Sequence, residues 1–174
     1  AFIGLERLRE LISEQNLEFQ EALEVVRASS LFTTHTPVPA GHDAFDEGML
    51  RKYIGHYPSR LKIDWETMMG LGKNNGADVN EKFSMSILAA NISQEVNGVS
   101  WLHGEVSRDI LGHMWPGYLP EELHVSYVTN GVHYPTWTAP EWKEVHAKVF
   151  GEEFKTHHYD KSCFDGIYKV SDEE

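Results

Sequence analysis

Three times along this sequence a short apolar, β-branched stretch gives way to a polar loop, with a segment of helical periodicity before the next. Ser30-Leu31-Phe32-Thr33-Thr34 runs into His35-Thr36-Pro37-Val38-Pro39-Ala40-Gly41, whose prolines and glycine stop regular structure. Phe83-Ser84-Met85-Ser86-Ile87 alternates with period two and leads through Ala89 and Asn91 to Glu95-Val96-Asn97-Gly98. Val125-Ser126-Tyr127-Val128-Thr129 delivers Asn130-Gly131-Val132-His133. Strands separated by helices must cross over to return in the same direction, so the pattern predicts an α/β fold with a parallel sheet. Residues 31 to 34, 83 to 88 and 125 to 129 are expected to be neighbouring parallel strands. Three strands are too few for a complete doubly wound domain, and the rest of the sheet is expected outside this sequence.

Between them, helices are read from spacing. Leu5, Leu8, Leu11 and Ile12 recur on one helical face, and Phe19, Ala22, Leu23 and Val26 do so again after Asn16 offers a cap. Met49, Leu50, Tyr53 and Ile54 predict a third helix, and Asp64 caps a short one carrying Trp65, Met68, Met69 and Leu71. Residues 72 to 78 read as a surface loop. Val99, Leu102, Val106 and Ile110 mark the face of a later helix, and Thr138-Ala139-Pro140-Glu141 reads as a capping box opening the last one. Helical periodicity begins at Ala1 without an initiator Met, and the chain stops after an aromatic segment, so both ends read as cut.

Composition narrows the partners. Fifteen Lys and Arg against 27 Asp and Glu leave a formal net charge of −12, which repels the polymer phosphates of nucleic acid. The single Cys163 cannot form an intrachain disulfide, and no run of about 18 apolar residues would cross a membrane. A soluble, cytoplasmic protein with a neutral or small ligand is expected, and no membrane or nucleic-acid partner.

In open α/β sheets ligands bind beyond the carboxyl ends of the strands. The three motifs Thr33-Thr34-His35-Thr36-Pro37-Val38-Pro39, Glu95-Val96-Asn97-Gly98-Val99-Ser100 and Thr129-Asn130-Gly131-Val132-His133 are all expected at that rim. They offer imidazole, carboxamide, hydroxyl and bare backbone, an inventory suited to the uncharged, hydroxyl-rich ring of a sugar.

The segment from Leu31 to Gly41, the segment Val96-Asn97-Gly98-Val99-Ser100-Trp101-Leu102-His103-Gly104-Glu105, and Thr129 to His133 with Trp137 together closely resemble α-glucan phosphorylases, particularly the shorter bacterial type. The resemblance runs from about residue 1 to about residue 150. It implies a GT-B architecture, two Rossmann-like domains around a cleft. Residues 1–150 would be the C-terminal portion of the N-terminal glucan-binding domain, and 151–174 a trailing segment toward the cofactor-binding domain. It also implies an enzyme that transfers the terminal glucose of an α-1,4-glucan to inorganic phosphate, with pyridoxal phosphate as cofactor and usually as a homodimer. Carried over residue by residue, His35 lines the glucose subsite, with its backbone carbonyl near the anomeric carbon and its side chain at the 6-hydroxyl. Asn130 bonds the same hydroxyl and Val99 packs on the sugar. A fixed carbonyl dipole stabilises the positive charge that cleavage builds at the anomeric centre, which gives His35 a catalytic part. The cofactor lysine and the phosphate-holding basic residues have no counterpart in this sequence, so by itself it is expected to be inactive and free of cofactor. Lys73, Lys143 and Lys169 are expected in polar surroundings that do not lower an amine pKa. Between Asn130 and Trp137 the chain lacks the arginine pair of longer animal and plant members.

Plainer roles compete at each position. A loop histidine is commonly a structural hydrogen bonder, Asn-Gly after a strand a turn, and a valine a core residue. His157, His158, Asp160 and Cys163 lack recognised metal-ligand spacing, and no metal is assigned. His103 and Glu105, two apart on a helix, do not face each other, so capping or packing is preferred to a catalytic pair. Trp101, Trp115, Trp137 and Trp142 suit sugar stacking, although burial is the commoner fate. A noncatalytic glucan-binding or interaction module on the same fold is the alternative function, since fold alone does not fix chemistry.

Overall fold

Leu5, Leu8 and Ile12 bury one stripe of helix α1 (Phe2–Glu14) in a computed structural model that describes residues 1–74 and 80–171. The stripe packs on Phe19, Ala22, Leu23 and Val26 of α2 (Phe19–Ala28), as the spacing predicts. Arg7 donates to Ser30 Oγ at 2.8 Å and Ser29 Oγ at 2.6 Å, tying α1 to the chain leaving α2. The cap is a difference from the sequence reading. Asn16 adopts a left-handed φ of 55°, which asparagine tolerates, and Glu18 is the N-cap, its N–H donating to the Glu21 carboxylate at 2.9 Å.

Strand β1 (Leu31–Thr33) follows, then β2 (Ala44–Phe45), α3 (Glu47–Ile54), α4 (Tyr57–Leu61) and α5 (Trp65–Gly70). Asp64 caps α5 as expected, accepting from Thr67 N at 2.7 Å. Leu50, Ile54, Leu61, Met68 and Met69 from these helices join α1 and α2 in one core. The stretch read as a surface loop begins inside: Gly72 and Lys73 are buried, and Gly72 O accepts from Ser84 N at 2.7 Å. Its residues 75 to 78 lie outside those described.

The expected second parallel strand is corrected. Only Phe83–Ser84 (β3) is extended, and it pairs antiparallel with β2, apart from the main sheet. Residues Met85–Asn91 form helix α6, capped by Ser84 Oγ, which accepts from Ile87 N at 3.4 Å. Three apolar residues in five satisfy period two, but the first and last also share a helical face, so so short a window cannot separate the two. Here burial of Ile87, Leu88, Ala89 and Ala90 decides for the helix.

The parallel sheet has the order β1–β4–β5, with β4 (Glu95–Gly98) at the centre and β5 (Val125–Tyr127) on its other side. Phe32 pairs with Val96 and Val96 with Val125; Thr33 pairs with Asn97 and Asn97 with Ser126. Thus the segment expected to lie past a strand is itself the central strand. Helix α7 (Trp101–Leu111) covers β4 and β5, burying His103, Gly104, Ser107 and Leu111; Leu102, expected inside, is exposed. Small residues face the sheet because the backbones approach closely. A Cβ on Gly98 would lie 2.7 Å from Gly104 N, and one on Gly104 would lie 3.0 Å from Tyr127 Cβ.

Contacts divide the chain into units 1–130 and 131–174. The second contains α8 (Tyr134–Trp137), α9 (Pro140–Phe150), α10 (Phe154–His157) and a 3-10 run over Lys161–Lys169. Among its described residues Tyr134 and Phe154 are buried, with His146, Phe150 and Phe164 around them. Pro140 opens α9 as expected, but Ala139 is the N-cap and makes no side-chain bond, so the predicted capping box is not formed. Among the described residues, no helix is long and apolar enough to cross a membrane.

Candidate functional site

Because β1, β4 and β5 are parallel neighbours, the loops after them emerge at one rim. Backbone bonds extend the ladder beyond the strands. Thr34 N donates to Asn97 O at 3.0 Å, Val128 N to Gly98 O at 2.9 Å, and Asn130 N to Val99 O at 3.2 Å. His35, Val99 and Asn130 therefore follow the carboxyl ends of three adjacent strands. His35 and Asn130 are exposed and Val99 is half-buried. Of the three, the hydrogen bond joins Val99 and Asn130 directly, whereas His35 comes in through Thr34 and its bond to Asn97.

The rim is held from beneath by polar groups. Asn97 is 6% exposed; its Oδ1 accepts from Thr33 Oγ1 at 3.0 Å and its Nδ2 donates to Gly98 O at 3.2 Å. Ser100 Oγ caps α7 by accepting from His103 N at 3.2 Å, while His103 Nδ1 accepts from Val99 N at 3.2 Å. Ser107 Oγ donates to His103 O at 2.7 Å. His103 is thus a packing and capping residue rather than half of a pair with Glu105, whose carboxylate binds Arg108 at 2.7 Å. The sequence reading placed Asn97 at the rim only as part of a motif and gave His103 to capping or packing, without the bonds seen here. Their signal was polarity inside a segment that must cross the sheet, where a buried carboxamide needs partners.

The His35 loop is anchored at its far end, where His42 Nδ1 lies 2.6 Å from Ser86 Oγ and Met85 N donates to Asp43 O at 2.9 Å. A cavity of about 350 Å³ beside β1 is lined by Arg7, Phe32, Asp43, Ser86 and Ser93, among others. One of about 570 Å³ is lined by Arg27, Gln94, Trp115 and His124, among others. Neither is lined by His35, Val99 or Asn130. The tryptophans divide: Trp101, Trp137 and Trp142 are exposed, against the expectation of burial, whereas Trp115 packs on the sheet core.

The expected polar setting of the lysines holds in part. Lys143 is hydrogen-bonded to Pro135 O at 2.7 Å, but Lys73, within the segment expected at the surface, is buried. The Lys169 side chain lies outside the description. Among the described residues no three His, Cys, Asp or Glu side chains gather where they could hold a metal ion.

Residues 1–163 match the family described as carbohydrate phosphorylase. The chain belongs to this family. Among carbohydrate phosphorylases it is 42% identical over 158 residues to glycogen phosphorylase of Mycobacterium tuberculosis (strain ATCC 25618 / H37Rv), covering 87% of this chain and 18% of that protein. It is 34% identical over 174 residues to maltodextrin phosphorylase of Thermococcus litoralis, across 100% of this chain and 20% of the relative. With glycogen phosphorylase of Aquifex aeolicus the identity is 33% over 175 residues, 24% of that protein. The chain spans about a fifth of the length of these phosphorylases.

Proposed function

We propose that this chain is the sugar-facing rim of an α-glucan phosphorylase, an enzyme that transfers a terminal α-1,4-linked glucose to inorganic phosphate and releases glucose 1-phosphate. The observation that carries the reading is the convergence of three loops, rich in neutral hydrogen-bonding groups, on the carboxyl ends of adjacent parallel strands. In this reading Asn130 and the His35 imidazole bond the 6-hydroxyl of the glucosyl unit and Val99 packs on its ring. The His35 backbone carbonyl, one residue past the Thr34–Asn97 bond, would face the positive charge that develops as the glycosidic bond breaks.

The longer protein would have the two-domain GT-B architecture, with glucan and phosphate in the cleft, and would act as a cytoplasmic homodimer. Pyridoxal phosphate would supply the proton-transferring phosphate group there. Lys143 and Lys155 do not fit the imine-forming role: Lys143 is bound to Pro135 O. Lys155 pairs with Glu152 at 2.6 Å, which raises its pKa, opposite to what imine formation needs. No step is therefore assigned to pyridoxal phosphate in these residues.

The test is phosphorolysis of maltodextrin by the full-length protein and by its Val99→Ala variant. A fall in kcat/KM of about 3- to 30-fold is expected from lost packing on the sugar. An unchanged variant would remove Val99 from the subsite.

A further inference from the structure

We propose that His103 is the positioning residue of this rim, a neutral imidazole protonated on Nε2 that clamps the Val99 peptide and, through it, the Asn130 loop. The proposal rests on the sugar-rim reading above. It starts from a tautomer argument. The Val99 N–H can donate to Nδ1 only if that nitrogen carries a lone pair, and an imidazolium has none to offer on either nitrogen. The ring is therefore neutral, with its proton on Nε2.

His103 is only 7% exposed, and its Nε2 is buried with no hydrogen-bond partner among the described residues. Leaving a buried donor unpaired is costly, so an imidazole here is a poor choice for packing alone; leucine would fill the space without the penalty. What the imidazole supplies is the acceptor at Nδ1. A glutamate or glutamine commonly plays this part in the first turn of a helix, reaching back to a backbone N–H. A carboxylate in so buried a place would be costlier than a neutral ring.

The clamp leads directly to the proposed sugar contacts. The same Val99 residue whose N–H is held by His103 offers its carbonyl to Asn130 N at 3.2 Å. Its other anchors are equally fixed: Ser100 and Ser107 bind the His103 backbone on both sides, and Gly98 lets α7 approach β4. Releasing the Val99 N–H frees the loop between β4 and α7 and, with it, the support of Asn130.

Three variants of the full-length enzyme test this. His103→Asn places a carboxamide oxygen near the Nδ1 position, His103→Leu keeps bulk without an acceptor, and His103→Ala has neither. The Leu variant is expected to lose at least about tenfold in kcat, as misplacement of a positioning group does, with KM for phosphate unchanged. It should also lose much of its preference for a glucosyl over a 6-deoxyglucosyl substrate, while the Asn variant restores both. Equal losses in the Asn and Leu variants would show that ring volume is what matters and overturn the proposal, as would a Leu variant with wild-type kcat. Failure of both the Leu and Ala variants to fold beside an active Asn variant would reduce His103 to a structural residue and also overturn it. Should the unmodified enzyme release no glucose 1-phosphate, the sugar-rim reading falls and amide hydrogen exchange at Val99 decides about the clamp. Faster exchange in the Leu than in the Asn variant supports it, and equal rates overturn it.

Discussion

The Asn130 backbone and side chain have separate tasks, because its N–H is bound to Val99 O while its side chain is exposed at the rim. Asn130→Ala therefore leaves the loop in place and removes only the carboxamide. In the full-length enzyme this substitution is expected to cost about 1–3 kcal/mol in glucosyl transfer, the usual effect of an unpaired substrate hydroxyl. The loss should shrink for a 6-deoxyglucosyl substrate, and equal losses with both substrates would make Asn130 a structural residue. Far from the rim, Glu6 accepts hydrogen bonds from Arg9 at 2.8 Å and from Tyr57 Oη at 2.8 Å. The Arg9 bond first, and the Tyr57 bond second, hold its carboxyl below the ordinary glutamate value. Its folded pKa is the lower one, so its stabilising contribution is present above the unfolded value and is lost as pH falls through the folded one. Tyr57→Phe should flatten the loss of stability in acid, measured by urea unfolding between about pH 3 and 7. Parallel curves for the two proteins would contradict the link between α1 and α4.

At the scale of elements, α7 against β4 and β5 is the packing most exposed to a single methyl group. Gly98→Ala would place a Cβ 2.7 Å from the Gly104 backbone nitrogen, with no flexible side chain there to yield. A destabilisation of about 1–3 kcal/mol is expected from such overpacking, read from the denaturant midpoint. An unchanged midpoint would mean that α7 can lift from the sheet freely. The same packing explains what the sequence concealed. Helices α1 and α2 were legible because Leu5, Leu8, Phe19 and Leu23 repeat at helical spacing over a wide buried face. Strand β4 was not, because its position depends on partners at both edges and not on its own composition. Of its four residues only Val96 is a buried large apolar side chain. The buried face of α7 was missed for a related reason, since contact with a sheet at close range selects glycine and serine and leaves Leu102 outside. The placement of the His35 and Asn130 loops after parallel strands was legible despite these errors, because polar loop motifs mark strand ends whether or not the strand before them is recognised.

For the whole molecule, the loops after β1, β4 and β5 follow three neighbouring parallel strands. His35 and Asn130 are exposed there, and Lys143 and Lys155 are engaged in ordinary surface bonds. The 174 residues alone are therefore expected to bind no pyridoxal phosphate and to hold maltooligosaccharide weakly or not at all. Calorimetric titration checks this: tight glucan binding by the isolated chain would mark a self-sufficient glucan module instead. The most direct measurement of the account is release of glucose 1-phosphate from maltodextrin by the full-length protein, with and without inorganic phosphate. The sugar-rim reading predicts phosphate-dependent release that falls in the Asn130→Ala variant. Binding of maltodextrin without any release of glucose 1-phosphate, by a correctly folded protein with its cofactor bound, would contradict it.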